Sequence, residues 1–125
     1  MHLVVTRSYP PEIGGMQNLM WGLTKSLSKH DLIKVFADDH ENASQFDESV
    51  SFTIERIGGP KIIKKYRKSL LVNNYLETNN KVKTVIADHW KSLEKIKTNV
   101  KKICLIHSKE INHNKGSFLN RRVLK

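Results

Sequence analysis

The sequence predicts an α/β domain: a Rossmann-like, doubly wound, mostly parallel sheet with helices on both faces. Three observations carry that prediction. Short apolar runs recur along the chain as strand-like segments. Stretches with helical spacing of apolar residues stand between them. The first strand enters its helix through a turn rich in proline and glycine. Strands that alternate with helices pair in parallel, because each helix carries the chain back over the sheet.

Leu3-Val4-Val5 reads as the first buried strand, and Met16, Leu19, Met20, Leu23 and Leu27 then fall on one face of a helix. Between them lies Thr6-Arg-Ser-Tyr-Pro-Pro-Glu-Ile-Gly-Gly-Met. In a doubly wound sheet the first such turn sits at the carboxyl end of the strands, where ligands bind. Gly14 and Gly15 let backbone come close to a ligand, and the free N–H groups of a helix start favour an anionic group. Leu32–Ala37 reads as the second strand, and residues 38–49 as a polar, acidic loop with room for a helical turn. Asp38 and Asp39 are expected there as solvated strand-end residues.

Val50, Phe52 and Ile54 alternate with polar residues as a third strand. The short connection before it leaves both a parallel crossover and a local antiparallel pairing open. Gly58-Gly59-Pro60 breaks the chain and starts a helix over Lys61–Asn79, which places Ile63, Tyr66 and Leu70 on one face. Thr84–Ala87 is a fourth, buried strand, a helix is expected around Lys91–Thr98, and Lys102–Ile106 is a fifth strand. Phe118–Lys125 starts a further helix. The strands then end at Thr6–Arg7, Ala37–Asp38, Ile57–Gly58, Asp88–His89 and His107–Ser108.

The 125 residues fit one domain with a core of its own. No apolar run approaches the roughly 18 residues that span a bilayer, and no basic segment leads into a signal-type apolar stretch, so a cytoplasmic protein is expected. The single cysteine, Cys104, sits in an apolar run and reads as a core thiol. Charge is unevenly placed. Residues 1–60 carry five Lys/Arg against eight Asp/Glu, and residues 61–125 carry seventeen against four. Of the 22 basic residues 17 are lysine, whereas nucleic-acid readers lean on arginine and stacking aromatics; no nucleic-acid partner is expected.

Polar residues gather where the fourth and fifth strands end, in Asp88-His89-Trp90 and His107-Ser108-Lys109-Glu110. Those segments face the same crevice as the glycine turn. Either they form a polar site, or they are the polar residues that any buried strand needs as it emerges into water.

The segment Thr6-Arg-Ser-Tyr-Pro-Pro-Glu-Ile-Gly-Gly-Met-Gln-Asn-Leu-Met-Trp resembles the amino-terminal signature of family-4 glycosyltransferases of the GT-B fold. The strand ending in Asp88-His89-Trp90, the Ile106-His107-Ser-Lys-Glu110 turn and the basic stretch ending in Arg121-Arg122 are similar in order and spacing, so the resemblance runs through all 125 residues. It implies a retaining enzyme that moves a sugar from a nucleotide-sugar to a saccharide or lipid acceptor of the cell envelope, without a metal. By that resemblance His107 is the catalytic candidate, near the reacting sugar. Gly14 and Gly15 approach the donor diphosphate, and Asp88, His89 and Glu110 are candidates for substrate contacts. Gln17 stands where the family often has an acidic residue. The family's Glu-x7-Glu pair lies in a second, donor-binding domain, and no two glutamates here are eight positions apart. Residues 1–125 are therefore expected to be a single, incomplete amino-terminal domain that needs a donor-binding half to act.

Two further readings stand beside these. Lys61, Lys64, Lys65, Arg67 and Lys68 are either a solvated face on a core-packing helix or a contact surface for an anionic membrane or a partner. The whole chain, in turn, is either the acceptor side of a transferase or a non-catalytic binding domain or inactive fragment.

Overall fold

Leu3, Val4, Val5 and Thr6 are all buried, because successive strand side chains point to opposite faces and here both faces are covered. The structure, a computed structural model, describes residues 1–105. These four residues belong to β1 (His2–Thr6), the centre of a sheet completed by β2 (Ile33–Asp38), β3 (Thr53–Ile57), β4 (Thr84–Ala87) and β5 (Lys101–Cys104). The order is β3-β2-β1-β4-β5, and every pairing is parallel. The β2–β3 connection, open in sequence, is thus a parallel crossover, carried by the six-residue helix α2 (Ala43–Glu48).

Each face has its own core. On one, Val4, Ile33, Val35, Ala37 and Ile86 pack with Met20 of α1 (Gly15–Ser28) and with Tyr9. On the other, Leu3, Val5, Phe36, Val85 and Ala87 pack with Val72 of α3 (Lys61–Thr78), Leu93 and Ile96. Removing one such aliphatic side chain from water contributes roughly 1.5–3 kcal/mol. Among the described residues no helix is long and apolar enough to cross a membrane.

Three sequence expectations change in the folded chain. In α1 the buried positions are Met20 and Thr24, and Leu19 is exposed. Trp21 of the same helix lies within 5.1–6.3 Å of the Phe46, Phe52 and Tyr9 rings and covers the neighbouring loop. The helix expected around Lys91–Thr98 is a single 3-10 turn, Trp90–Leu93. Leu93 ends that turn, Ile96 lies just beyond it with its N–H bonded to the Leu93 carbonyl at 3.1 Å, and both side chains reach the core.

The third change is the rotation of α3. Ile63, Tyr66 and Leu70, expected to be its core face, are 51%, 59% and 60% exposed, while Lys68 and Val72 are buried. The first turns of α3 lie at the sheet's carboxyl edge, where Lys68 reaches the last carbonyl of β1. Apolar packing begins only at Val72, followed by Tyr75 and Leu76. Cys104 is half-buried against this core, and the stretch at 118–125 lies outside the described residues.

Candidate functional site

β1 lies between β2 and β4, and the chain crosses to one side after β1 and returns to the other at β4. Such a reversal opens a crevice at the carboxyl ends of the two strands, because their connections leave in opposite directions. With Val5 opposite Ala87, the Thr6–Arg7 and Asp88–His89 exits stand side by side at this point.

Asp88 closes the floor of the crevice. It is 3% exposed. Its Oδ2 accepts from the Thr6 hydroxyl and from the Arg7 N–H, both at 3.0 Å, and its Oδ1 accepts from the Ser92 hydroxyl at 3.3 Å. The carboxylate is therefore directed into protein and ties β1, the first loop and the 3-10 turn together. His89, beside it, accepts the Lys91 N–H at Nδ1 (3.1 Å), and its ring stacks 5.9 Å from that of Trp90. His107 and Glu110 lie outside the described residues.

The glycine turn is anchored from behind. Tyr9 is buried, with its hydroxyl 2.6 Å from that of Thr24. The Pro10–Pro11 peptide is cis. Arg56 of β3 donates to the Pro10 carbonyl at 2.6 Å, to both Asp47 oxygens at 2.8 and 3.1 Å, and to the Asp38 carbonyl at 3.1 Å. In front the turn is open: Ile13 is 93% exposed, and a Cβ at Gly15 would meet nothing within 4 Å. A Cβ at Gly14 would instead run into the Gln17 carboxamide, which is bonded to Glu12. The first helical bond of α1 runs from the Asn18 N–H to the Gly14 carbonyl, so the amides of Gly15, Met16 and Gln17 precede the ladder.

Beside the turn is a cleft of about 420 Å³. Arg7 and Asp38 contribute from the strand ends, Lys61, Lys64, Lys65 and Lys68 from α3, and Lys91 with Ser92 from the 3-10 turn. Lys68 is 6% exposed; its ammonium donates to the Thr6 carbonyl at 3.1 Å and to Asp38 Oδ1. Burial pulls its pKa below the ordinary lysine value, against the restoring pull of Asp38 and Asp88. Lys64 holds the other Asp38 oxygen at 3.1 Å. Asp38 is thus the counter-ion of two lysines rather than a solvated strand end.

The basic residues of α3 divide. Lys61, Lys64, Lys65 and Lys68 line the cleft, whereas Arg67 donates to the Gly58 carbonyl at 3.1 Å. Lys68 is turned inward and has no ammonium to offer a membrane surface. The positions 61, 64, 65 and 68 form the i, i+3, i+4, i+7 stripe that marks one helix face. Sequence reasoning named these four lysines, with Arg67, as a solvated face or a contact surface, but did not join them to Arg7, Asp38, Lys91 and Ser92, which only the fold brings to the same cleft. Among the described residues no three His, Cys, Asp or Glu side chains gather as a group that could hold a metal. Comparison with family models and with curated proteins finds no match for this chain.

Proposed function

We propose that this chain is the acceptor-side domain of a retaining, family-4-like glycosyltransferase, which transfers a sugar from a nucleotide-sugar to a saccharide or lipid acceptor of the cell envelope. One observation carries the reading most. The Tyr9–Met16 turn, on which the resemblance rests, lies at the β1–β4 switch point with open space in front of Gly15. That is where a parallel α/β sheet binds ligands, and where backbone free of a side chain can approach a diphosphate.

In this reading the α1 amides and Gly15 form one wall of the transfer cleft, and Asp88 sets the wall's position rather than touching substrate. His107 is the catalytic candidate and Glu110 a substrate contact. The donor is held by a second domain, on the same polypeptide or on a partner, and no metal is invoked. A cytoplasmic location at the inner face of a membrane fits the outward face of α3, where exposed Ile62, Ile63, Tyr66 and Leu70 stand beside Arg67.

The test is sugar transfer from radiolabelled nucleotide-sugars by the chain combined with a donor-binding domain, with and without His107→Ala. Transfer that falls by about a hundredfold or more in the variant supports the reading. Absence of transfer, or transfer untouched by the substitution, overturns it. The second reading, a binding domain without a reaction, is favoured by the cationic cleft, to which the described residues bring six cations.

A further inference from the structure

We infer that the cleft between the first loop, α3 and the 3-10 turn is a binding site for a phosphate ester or diphosphate group. The inference stands on the cleft alone and does not require the transferase reading.

The argument begins with charge. Six cations line the cleft: Arg7, Lys61, Lys64, Lys65, Lys68 and Lys91. Among the described residues one carboxylate lines it with them, and both Asp38 oxygens are already taken by Lys64 and Lys68. Glu94 stands 3.8 Å from Lys65. Asp88 lies beneath, engaged by Thr6, Arg7 and Ser92. Arg7, Lys61 and Lys91 form no ion pair among the described residues. Cations brought together in a concave site repel one another and focus a positive potential into it, and an anion relieves both effects.

Geometry narrows the anion. A space of about 420 Å³ suits a small molecule or a head group. Three cations without an ion pair among the described residues, one of them (Lys91) over the Trp90 ring, match a group that carries about two negative charges, as a phosphate ester does near neutral pH. Ser69 adds a neutral hydroxyl from α3. Lysines act on phosphate as point charges, and Arg7 can bind two of its oxygens at once. The Lys68–Asp38 pair is then a positioning element. Bonded to the Thr6 carbonyl and to Asp38, Lys68 fixes the carboxylate that holds Lys64 at the rim.

The test is calorimetric titration of the full 125-residue chain with inorganic pyrophosphate at about 0.1 M salt, where distant charges are screened. Two triple variants of equal charge are compared. One removes exposed cleft lysines (Lys61→Gln, Lys65→Gln, Lys91→Gln). The other removes exposed lysines near the amino ends of the strands (Lys29→Gln, Lys81→Gln, Lys97→Gln). Thermal unfolding confirms that both remain folded. The expected result is saturable binding by the wild type, weakened about tenfold or more in the cleft variant and by less than about twofold in the other. Absence of binding, or an equal loss in the two variants, overturns the inference. Sedimentation with phosphatidic acid vesicles distinguishes the source. Vesicle capture displaced by pyrophosphate assigns the phosphate to a lipid head group. Pyrophosphate binding without vesicle capture assigns it to a soluble ester.

Discussion

The Thr6 hydroxyl donates to Asp88 Oδ2 at 3.0 Å and joins β1 to the exit of β4 where the sheet reverses direction. The same oxygen receives the Arg7 N–H, so the glycine turn leaves the sheet along a path set by a residue 81 positions away. The Thr6 hydroxyl in turn accepts the Ser8 N–H at 3.0 Å. Backbone, hydroxyl and carboxylate thus satisfy one another in a buried place, where an unpaired polar group is costly.

Asp88→Ala leaves the Arg7 N–H and two hydroxyls without their acceptor. The expected loss is roughly 1–3 kcal/mol of unfolding free energy, read from urea denaturation. An unchanged midpoint would mean that Asp88 is not the anchor described.

The rotation of α3 explains what was legible in the sequence and what was not. Strands were readable because Leu3-Val4-Val5 and Val85-Ile86-Ala87 are buried on both faces and so are continuously apolar. The existence of α3 was readable from its Gly-Gly-Pro start. Its orientation was not, because Ile63, Tyr66 and Leu70 have the period of a core face while the lysine stripe has the same period on the opposite side. Only the position of the helix at the end of the sheet decides which side turns inward. That decision also joined the lysine stripe to Arg7, Asp38, Lys91 and Ser92 in one cleft, a grouping that spacing along the chain does not show. Tyr66→Ser and Leu70→Ser are accordingly expected to shift stability by no more than about 0.5 kcal/mol each, whereas Val72→Ala costs roughly 1–3 kcal/mol. Equal losses at the three positions, measured by denaturant unfolding, would restore the face that periodicity suggests.

Lys68 and Asp38 form a nearly buried pair, so removing one partner strands the other. Asp38→Ala leaves the Lys68 ammonium beside Lys64 without its counter-ion and is expected to cost about 3 kcal/mol. Asp38→Ala combined with Lys68→Met removes both charges and recovers most of that loss, with a coupling of about 1–3 kcal/mol in the double-mutant cycle. The pH dependence has a definite sign. Between the depressed pKa of Lys68 and the ordinary 10.5 the unfolded chain binds more protons, so this residue's contribution to stability rises with pH. Lys68→Met abolishes that rise.

Gly15 separates a structural need from a functional one. Nothing within 4 Å would meet its Cβ, and it is the first residue of α1. Gly15→Ala is therefore expected to leave the melting temperature unchanged or to raise stability by up to about 1 kcal/mol. If backbone there approaches a substrate diphosphate, the same methyl group lowers transfer by about tenfold or more when the donor-binding half is supplied. Full activity in a stable variant would remove Gly15 from the site.

Tyr9 gives the fold an alkaline limit. Burial pushes its phenol up to about 12 from the ordinary 10.0, while the Thr24 hydrogen bond and the Arg56 guanidinium pull the other way. Because the folded-state pKa is the higher one, the stabilising contribution is complete below pH 10.0 and is lost as pH rises towards about 12. The shift corresponds to about 2–3 kcal/mol across that window. Tyr9→Phe keeps the ring contacts with Trp21 and Phe46 but loses the bond to Thr24, at a cost of about 1 kcal/mol near neutral pH. It also removes the ionisable phenol. Urea unfolding of the two proteins at about pH 8 and about pH 11 isolates the effect, since they differ at Tyr9 alone. The wild type should lose its advantage at the higher pH. A gap that stays constant would show that the Tyr9 phenol ionises as freely in the folded chain as in the unfolded one.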